Sequence, residues 1–128
     1  MKRNRLTIGA NILTNYRFYL TPRFDRSVRR LKRRYPKINA DLLKAFSEIE
    51  DRPEAGSVIP NDFLIRKLRV ASSDMRHGKS GGYRLLYKLD SHSVDEVQIV
   101  MLFVYAKSDQ SDVPPMFLET LSADMSDK

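Results

Sequence analysis

The residues best suited to chemistry in this chain are cations on short alternating segments. Ile65-Arg66-Lys67-Leu68-Arg69-Val70 reads as a strand; with Leu64, Leu68 and Val70 turned toward a core, Lys67 and Arg69 point the other way. In the next alternating segment Tyr83, Leu85, Tyr87 and Leu89 share one face, and Arg84, Leu86 and Lys88 share the other. Antiparallel pairing of the two segments gathers Lys67, Arg69 and Arg84 on one exposed face, with Arg76 and Lys79 on the connecting loop above. Converging cations of this kind suit the cleavage of RNA without a metal. The 2′-hydroxyl attacks the adjacent phosphorus, negative charge builds on the nonbridging oxygens, and the protein must place cations there, remove one proton and supply another. Arginine meets the first need with its planar fork. A lysine crowded by other cations has a lowered pKa and can accept the proton. DNA lacks the 2′-hydroxyl, so the chemistry selects RNA. The competing reading of the same pattern is a sheet face kept wet by its charges.

Other chemistries find little support in the sequence. The chain has no cysteine, which excludes disulfides, thiolate metal sites and a thiol nucleophile. His77 and His92 are its only histidines, both expected in loops and without ligand-spaced partners, so neither a metal nor another cofactor is expected. Gly78-Lys79-Ser80-Gly81-Gly82 lacks the upstream glycine of a phosphate-binding Walker loop. No apolar stretch approaches the length of a membrane span, and polar residues interrupt the segment after the basic N-terminus, so a soluble cytoplasmic protein is expected. The net charge of +7 is uneven: residues 1–37 carry +11, 38–62 carry −4, 63–88 carry +6 and 89–128 carry −6. Two concentrated basic stretches attract polyanions, and counterion release makes nucleic acid the natural one.

The elements that must position these residues follow from periodicity. Tyr16–Leu20 alternates as a strand. Thr21-Pro22 supplies a cap and first helical position, Phe24, Val28, Leu31 and Tyr35 recur at helical spacing, and Pro36 ends the element. Its other face carries Arg26, Arg29, Arg30, Lys32, Arg33 and Arg34. A second helix is predicted from Asn39 as N-cap, with Ile38 stapled outside it and Pro53 closing it. A Pro/Gly loop over residues 53–62 leads to strand-like runs at Phe63–Ala71, Tyr83–Leu89 and Val97–Tyr105, with Ser72–Gly81 as a loop and Asp90–Ser93 as a turn. The last run places Val97, Ile99, Met101 and Phe103 on one face and Val100, Leu102 and Val104 on the other, as a central buried strand does. Pro114-Pro115 opens a short final helix with Phe117, Leu118 and Leu121. The expectation is a single α+β domain over residues 1–128, order β-α-α-β-β-β-α, with helices to one side of a mostly antiparallel sheet and residues 1–15 and 114–128 as peripheral extensions.

Ile65-Arg-Lys-Leu-Arg-Val70, then Gly78-Lys-Ser-Gly-Gly-Tyr-Arg-Leu-Leu-Tyr87, then Val104-Tyr-Ala-Lys-Ser-Asp109 resemble the RelE/HigB toxins of type II toxin–antitoxin modules, over roughly residues 16–113 and closer to the HigB-like branch. The resemblance implies the RelE fold and ribosome-dependent cleavage of messenger RNA in the decoding site. It implies that Arg84 stabilises charge on the scissile phosphate and that Lys67 serves as base or phosphate ligand. The family's second strand lysine falls near Ile65, so its role passes to Arg66 or Arg69. Ser108 stands where the family has a further arginine, and its late tyrosine aligns near Pro114; Tyr105 and Lys107 are the nearby candidates for the general acid. Arg66, Arg76, Lys79, Lys88, Arg30 and Arg33 are the expected RNA-binding cations.

The same resemblance implies a cognate antitoxin, of helix-turn-helix DNA-binding type, besides the ribosome and its message. Two other readings stay open: a ParE-like inhibitor that shares the fold and binds a topoisomerase without chemistry, and a plain RNA- or ribosome-binding module. A fold alone does not separate them.

Overall fold

The computed structural model describes residues 3–4, 15–61, 63–75, 81–93 and 96–125, with side chains from residue 18 onward except at 91–93 and 96. Its strands are β1 (Arg3–Asn4), β2 (Asn15–Leu20), β3 (Ser57–Val58), β4 (Arg66–Val70), β5 (Tyr83–Ser93) and β6 (Glu96–Ala106). Its helices are α1 (Pro22–Lys32), α2 (Ile38–Asp51) and α3 (Pro115–Asp124). The expected α+β order is present, with two-residue edge strands added. The strands form one sheet in the order β1-β2-β6-β5-β4-β3, antiparallel except for the β2–β6 pair. Among the described residues, no helix is long and apolar enough to cross a membrane.

Helix α1 starts where its cap chemistry directs: the Thr21 hydroxyl accepts from the Phe24 amide at 3.1 Å, Pro22 fills the first turn and Asp25 faces the amino end. Helix α2 starts one residue before the predicted cap. Lys37 is its N-cap without a side-chain bond, and Ile38, expected as an outside staple, is fully buried within the helix. The burial of Ile38 outweighs the cap that Asn39 would have supplied.

Two apolar layers cover the sheet. Phe18, Leu68, Val70, Tyr83, Leu85, Tyr87, Ile99 and Met101 pack beneath α1 and α2, where Phe18 and Phe46 stack at 5.1 Å. Tyr19, Ile65, Leu86, Val100, Leu102 and Tyr105 pack on the opposite face with Leu118 and Leu121 of α3. The third helix therefore lies across the sheet from the helical pair, not beside it, because Leu118 and Leu121 cover the second face of a central strand that is apolar on both.

The strands depart from expectation in three places. Strand β4 is shorter than predicted, because Leu64 adopts a left-handed φ of 59° and is 62 % exposed; Ile65, not Leu64, enters a core, on the α3 face. Strand β5 continues through Ser93, so His92 lies in the strand, not in a turn. Between Leu86↔Phe103 and Tyr87↔Met101 the β5–β6 register slips by one residue, a bulge at Leu102. Beyond a bulge the faces exchange. Phe103, expected beside Met101, packs on the α3 face, and Val104 turns to the helical pair.

Candidate active site

The register aligns Arg69 of β4, Arg84 of β5 and Tyr105 of β6 in one row across three strands. Lys67, Leu86 and Phe103 form the next row. The bulge at Leu102 makes the first row possible: continued alternation from Ile99 and Met101 would turn Tyr105 toward the helical pair, away from Arg84. Lys67, Arg69, Arg84 and Tyr105 thus share the face that sequence alternation assigns to the first three.

That face is not uniformly exposed. Arg69 is open to solvent, whereas Arg84, expected to be exposed, is only 6 % exposed. Its position in the middle of three paired strands explains the difference. Arg84 Nη1 donates to the Tyr83 carbonyl at 3.2 Å. Burial lowers the Arg84 guanidinium pKa, the Arg69 charge lowers it further, and Tyr105 opposes both. A guanidinium remains charged through such a shift. Tyr105 is buried, and among the described residues its hydroxyl has no hydrogen-bond partner. Burial pushes its phenol pKa up, and the Asp112 carboxylate adds to the effect.

Asp112 is the site residue that sequence reasoning missed. It follows β6, and its carboxylate lies 3.5 Å from the Lys67 ammonium. Lys67 is therefore paired with an anion, not crowded by cations as the pattern predicts. The Val113 amide donates to Asp112 at 2.9 Å and, with Lys67, holds its carboxyl below the usual carboxylate range. Only the pairing of strands brings residues 67 and 112 together; no local pattern marks Asp112.

The other predicted residues divide. Lys107 stays at the edge of the cluster, its ammonium donating to the Ser111 carbonyl at 2.9 Å. Lys88 lies on the same sheet face further along β5, opposite Val100. Arg66 falls on the other face, in register with Tyr87, and donates to the Gly56 carbonyl at 2.7 Å, so it is a backbone clamp outside the cluster. Arg33 is exposed at the end of α1, and Arg30 lines a groove that Tyr105 also borders. Arg76, Lys79 and His77 lie outside the described residues. Among the described residues, no three His, Asp or Glu side chains cluster as a metal-ligand set.

Buried Arg84 supplies fixed positive charge, Tyr105 a protonated donor without a partner among the described residues, Asp112 an ionised acceptor, and Lys67 with Arg69 accessible cations. No protein-family model and no curated protein matches the chain.

Proposed function

We propose that this protein is a ribosome-dependent endoribonuclease, the toxin of a type II toxin–antitoxin pair, that cuts messenger RNA by metal-independent attack of the 2′-hydroxyl. The observation that carries the reading is the row Arg69–Arg84–Tyr105, which sets a buried cation beside a phenol with no hydrogen-bond partner among the described residues. The resemblance of the Gly82-Tyr83-Arg84 run and its flanking strands to RelE/HigB toxins supports it independently.

In this reading the scissile phosphate sits over Arg84, with Arg69 and Lys67 on its nonbridging oxygens. Asp112 takes the proton from the 2′-hydroxyl as its oxygen bonds to phosphorus. Tyr105 gives its proton to the departing 5′-oxygen as the P–O5′ bond breaks. The products are a 2′,3′-cyclic phosphate and a 5′-hydroxyl. The raised pKa of Tyr105 keeps the phenol protonated and the lowered pKa of Asp112 keeps the carboxylate ionised, while both shifts reduce the driving force for proton transfer. A co-expressed antitoxin of helix-turn-helix type and a cytoplasmic site of action belong to the same reading.

The test is to induce the chain in bacteria and map transcript ends by primer extension, with and without active translation. Cuts within translated messages that vanish when translation is blocked are expected. Arrest of DNA replication with intact messages would overturn the reading in favour of a topoisomerase inhibitor.

A further inference from the structure

A groove of about 240 Å³ runs along the edge of β6, between α1 and α3. Strand β2 accompanies β6 only as far as Met101, and α1 borders the remainder, with the Val104 amide donating to the Ser27 hydroxyl at 3.2 Å. Phe103, Tyr105 and Phe117 give the groove aromatic walls, with Phe103 and Phe117 edge-to-face at 4.8 Å. Arg23, Arg26 and Arg30 line it at helical spacing, and Arg23 lies 5.7 Å from the Phe117 ring centre.

The carboxylates at this groove are already engaged. Asp124 pairs with Arg23 at 2.8 Å, and Asp109 pairs with Arg34. Between them stand Arg26 and Arg30, both exposed, and among the described residues neither has a carboxylate partner. Like charges four residues apart weaken a helix. Two exposed guanidiniums beside aromatic rings match what single-stranded nucleic acid requires: cations for the backbone and a ring for the base.

We infer that this groove is a nucleotide subsite, in which Arg26 and Arg30 bind a phosphate of single-stranded RNA and the adjoining base packs on Phe117. The inference rests on the ribonuclease reading for its substrate, and adds the direction in which the strand leaves the cleavage site. Tyr105 belongs both to the row with Arg84 and to the groove wall, so the nucleotide held here neighbours the scissile phosphate. The volume falls below that of drug-sized pockets, which limits the groove to one nucleotide at most. Stacking tolerates any base, so the subsite contributes affinity without sequence preference.

The probe is a 2′-O-methyl trinucleotide containing 2-aminopurine, which cannot be cleaved and loses fluorescence on stacking. Wild type should quench it. Arg26→Ala/Arg30→Ala should weaken binding at least about tenfold and flatten its salt dependence, since each phosphate contact contributes about 0.7 to the logarithmic slope for single strands. Arg29→Ala/Lys32→Ala, which removes equal charge from another flank of α1, should change little. Phe117→Leu, which keeps an apolar side chain, should abolish the quench. Absence of binding by wild type, equal losses in the two double variants, or an unchanged quench in Phe117→Leu would overturn the subsite. A wild type that binds the probe in this manner but leaves ribosome-bound messages intact sinks the ribonuclease reading alone. One that cuts messages equally well with Arg26 and Arg30 removed sinks the subsite alone.

Discussion

Tyr105 stands directly opposite Arg84 across the β5–β6 ladder, and its buried hydroxyl has no partner among the described residues. A buried polar group left unpaired costs about 1–3 kcal/mol. Tyr105→Phe should therefore melt at or above the wild-type temperature. Loss of a general acid lowers rate by about 10²–10⁴. Cleavage of ribosome-bound message should thus fall while stability holds, a separation that a purely packing role for the ring would not produce. Wild-type cleavage by Tyr105→Phe would remove the hydroxyl from the mechanism.

Arg84 should show a related separation. Arg84→Lys keeps the charge but loses the bidentate fork, and removal of one preorganised stabiliser costs about 10²–10³ in rate. Because Arg84 is buried, the alanine variant leaves a hole, and Arg84→Met is the cleaner apolar substitution. Replacing a buried charge by an apolar side chain of similar volume is often neutral or stabilising. Arg84→Met should accordingly stay folded and be inactive, as thermal melts and single-turnover cleavage by the same preparation would report. Substantial cleavage by folded Arg84→Met would move the catalytic centre elsewhere.

Substitution of Asp112 separates two readings of its pairing with Lys67. As the proton acceptor it should be required, and Asp112→Asn should slow cleavage by about 10²–10⁴. As a mere restraint on Lys67 it should be inhibitory, and the same variant should cut faster. The first outcome is expected, because Asp112 is ionised and lies 3.5 Å from the Lys67 ammonium on this face. The side chain is 65 % exposed, so stability should change by no more than about 0.5 kcal/mol.

How much of this was legible in the sequence depends on the range of the interaction. The α1 start was readable because Thr21, Pro22 and Asp25 act locally. The shared face of Lys67, Arg69 and Arg84 was readable because alternation is unbroken across Arg66–Val70 of β4 and the facing Tyr83–Tyr87 of β5. The Tyr105 position was not, since a one-residue bulge at Leu102 exchanges faces and has no signature in a continuous apolar run. Arg66 became a candidate through the family resemblance, yet its parity with Leu68 and Val70, already readable, sends it to the other face and the Gly56 carbonyl. The burial of Arg84 and the approach of Asp112 to Lys67 arise only when distant segments pair, which no local spacing encodes.

Tyr83, Tyr87 and Tyr105 predict alkaline instability. Burial is the leading cause that raises the pKa of Tyr83, Tyr87 and Tyr105 above the usual value of about 10. The Ser72 hydroxyl, which donates to Tyr83, and the Gly56 amide, which donates to Tyr87, offset part of the effect. A phenol whose pKa is raised by folding contributes stability that is fully present below the unfolded value. As pH rises past about 10 the unfolded chain ionises first and binds fewer protons, so stability falls. Each such group can contribute a slope of at most about 1.4 kcal/mol per pH unit. Denaturant melts at pH 8 to 11 should show stability constant up to about pH 9.5 and then falling steeply, with phenolate absorbance from these residues appearing together with unfolding. Tyr105→Phe should reduce the alkaline slope by no more than one group's share, because Tyr83 and Tyr87 remain. Stability that stays flat to pH 11 while all the tyrosines titrate would show that burial does not hold these phenols protonated.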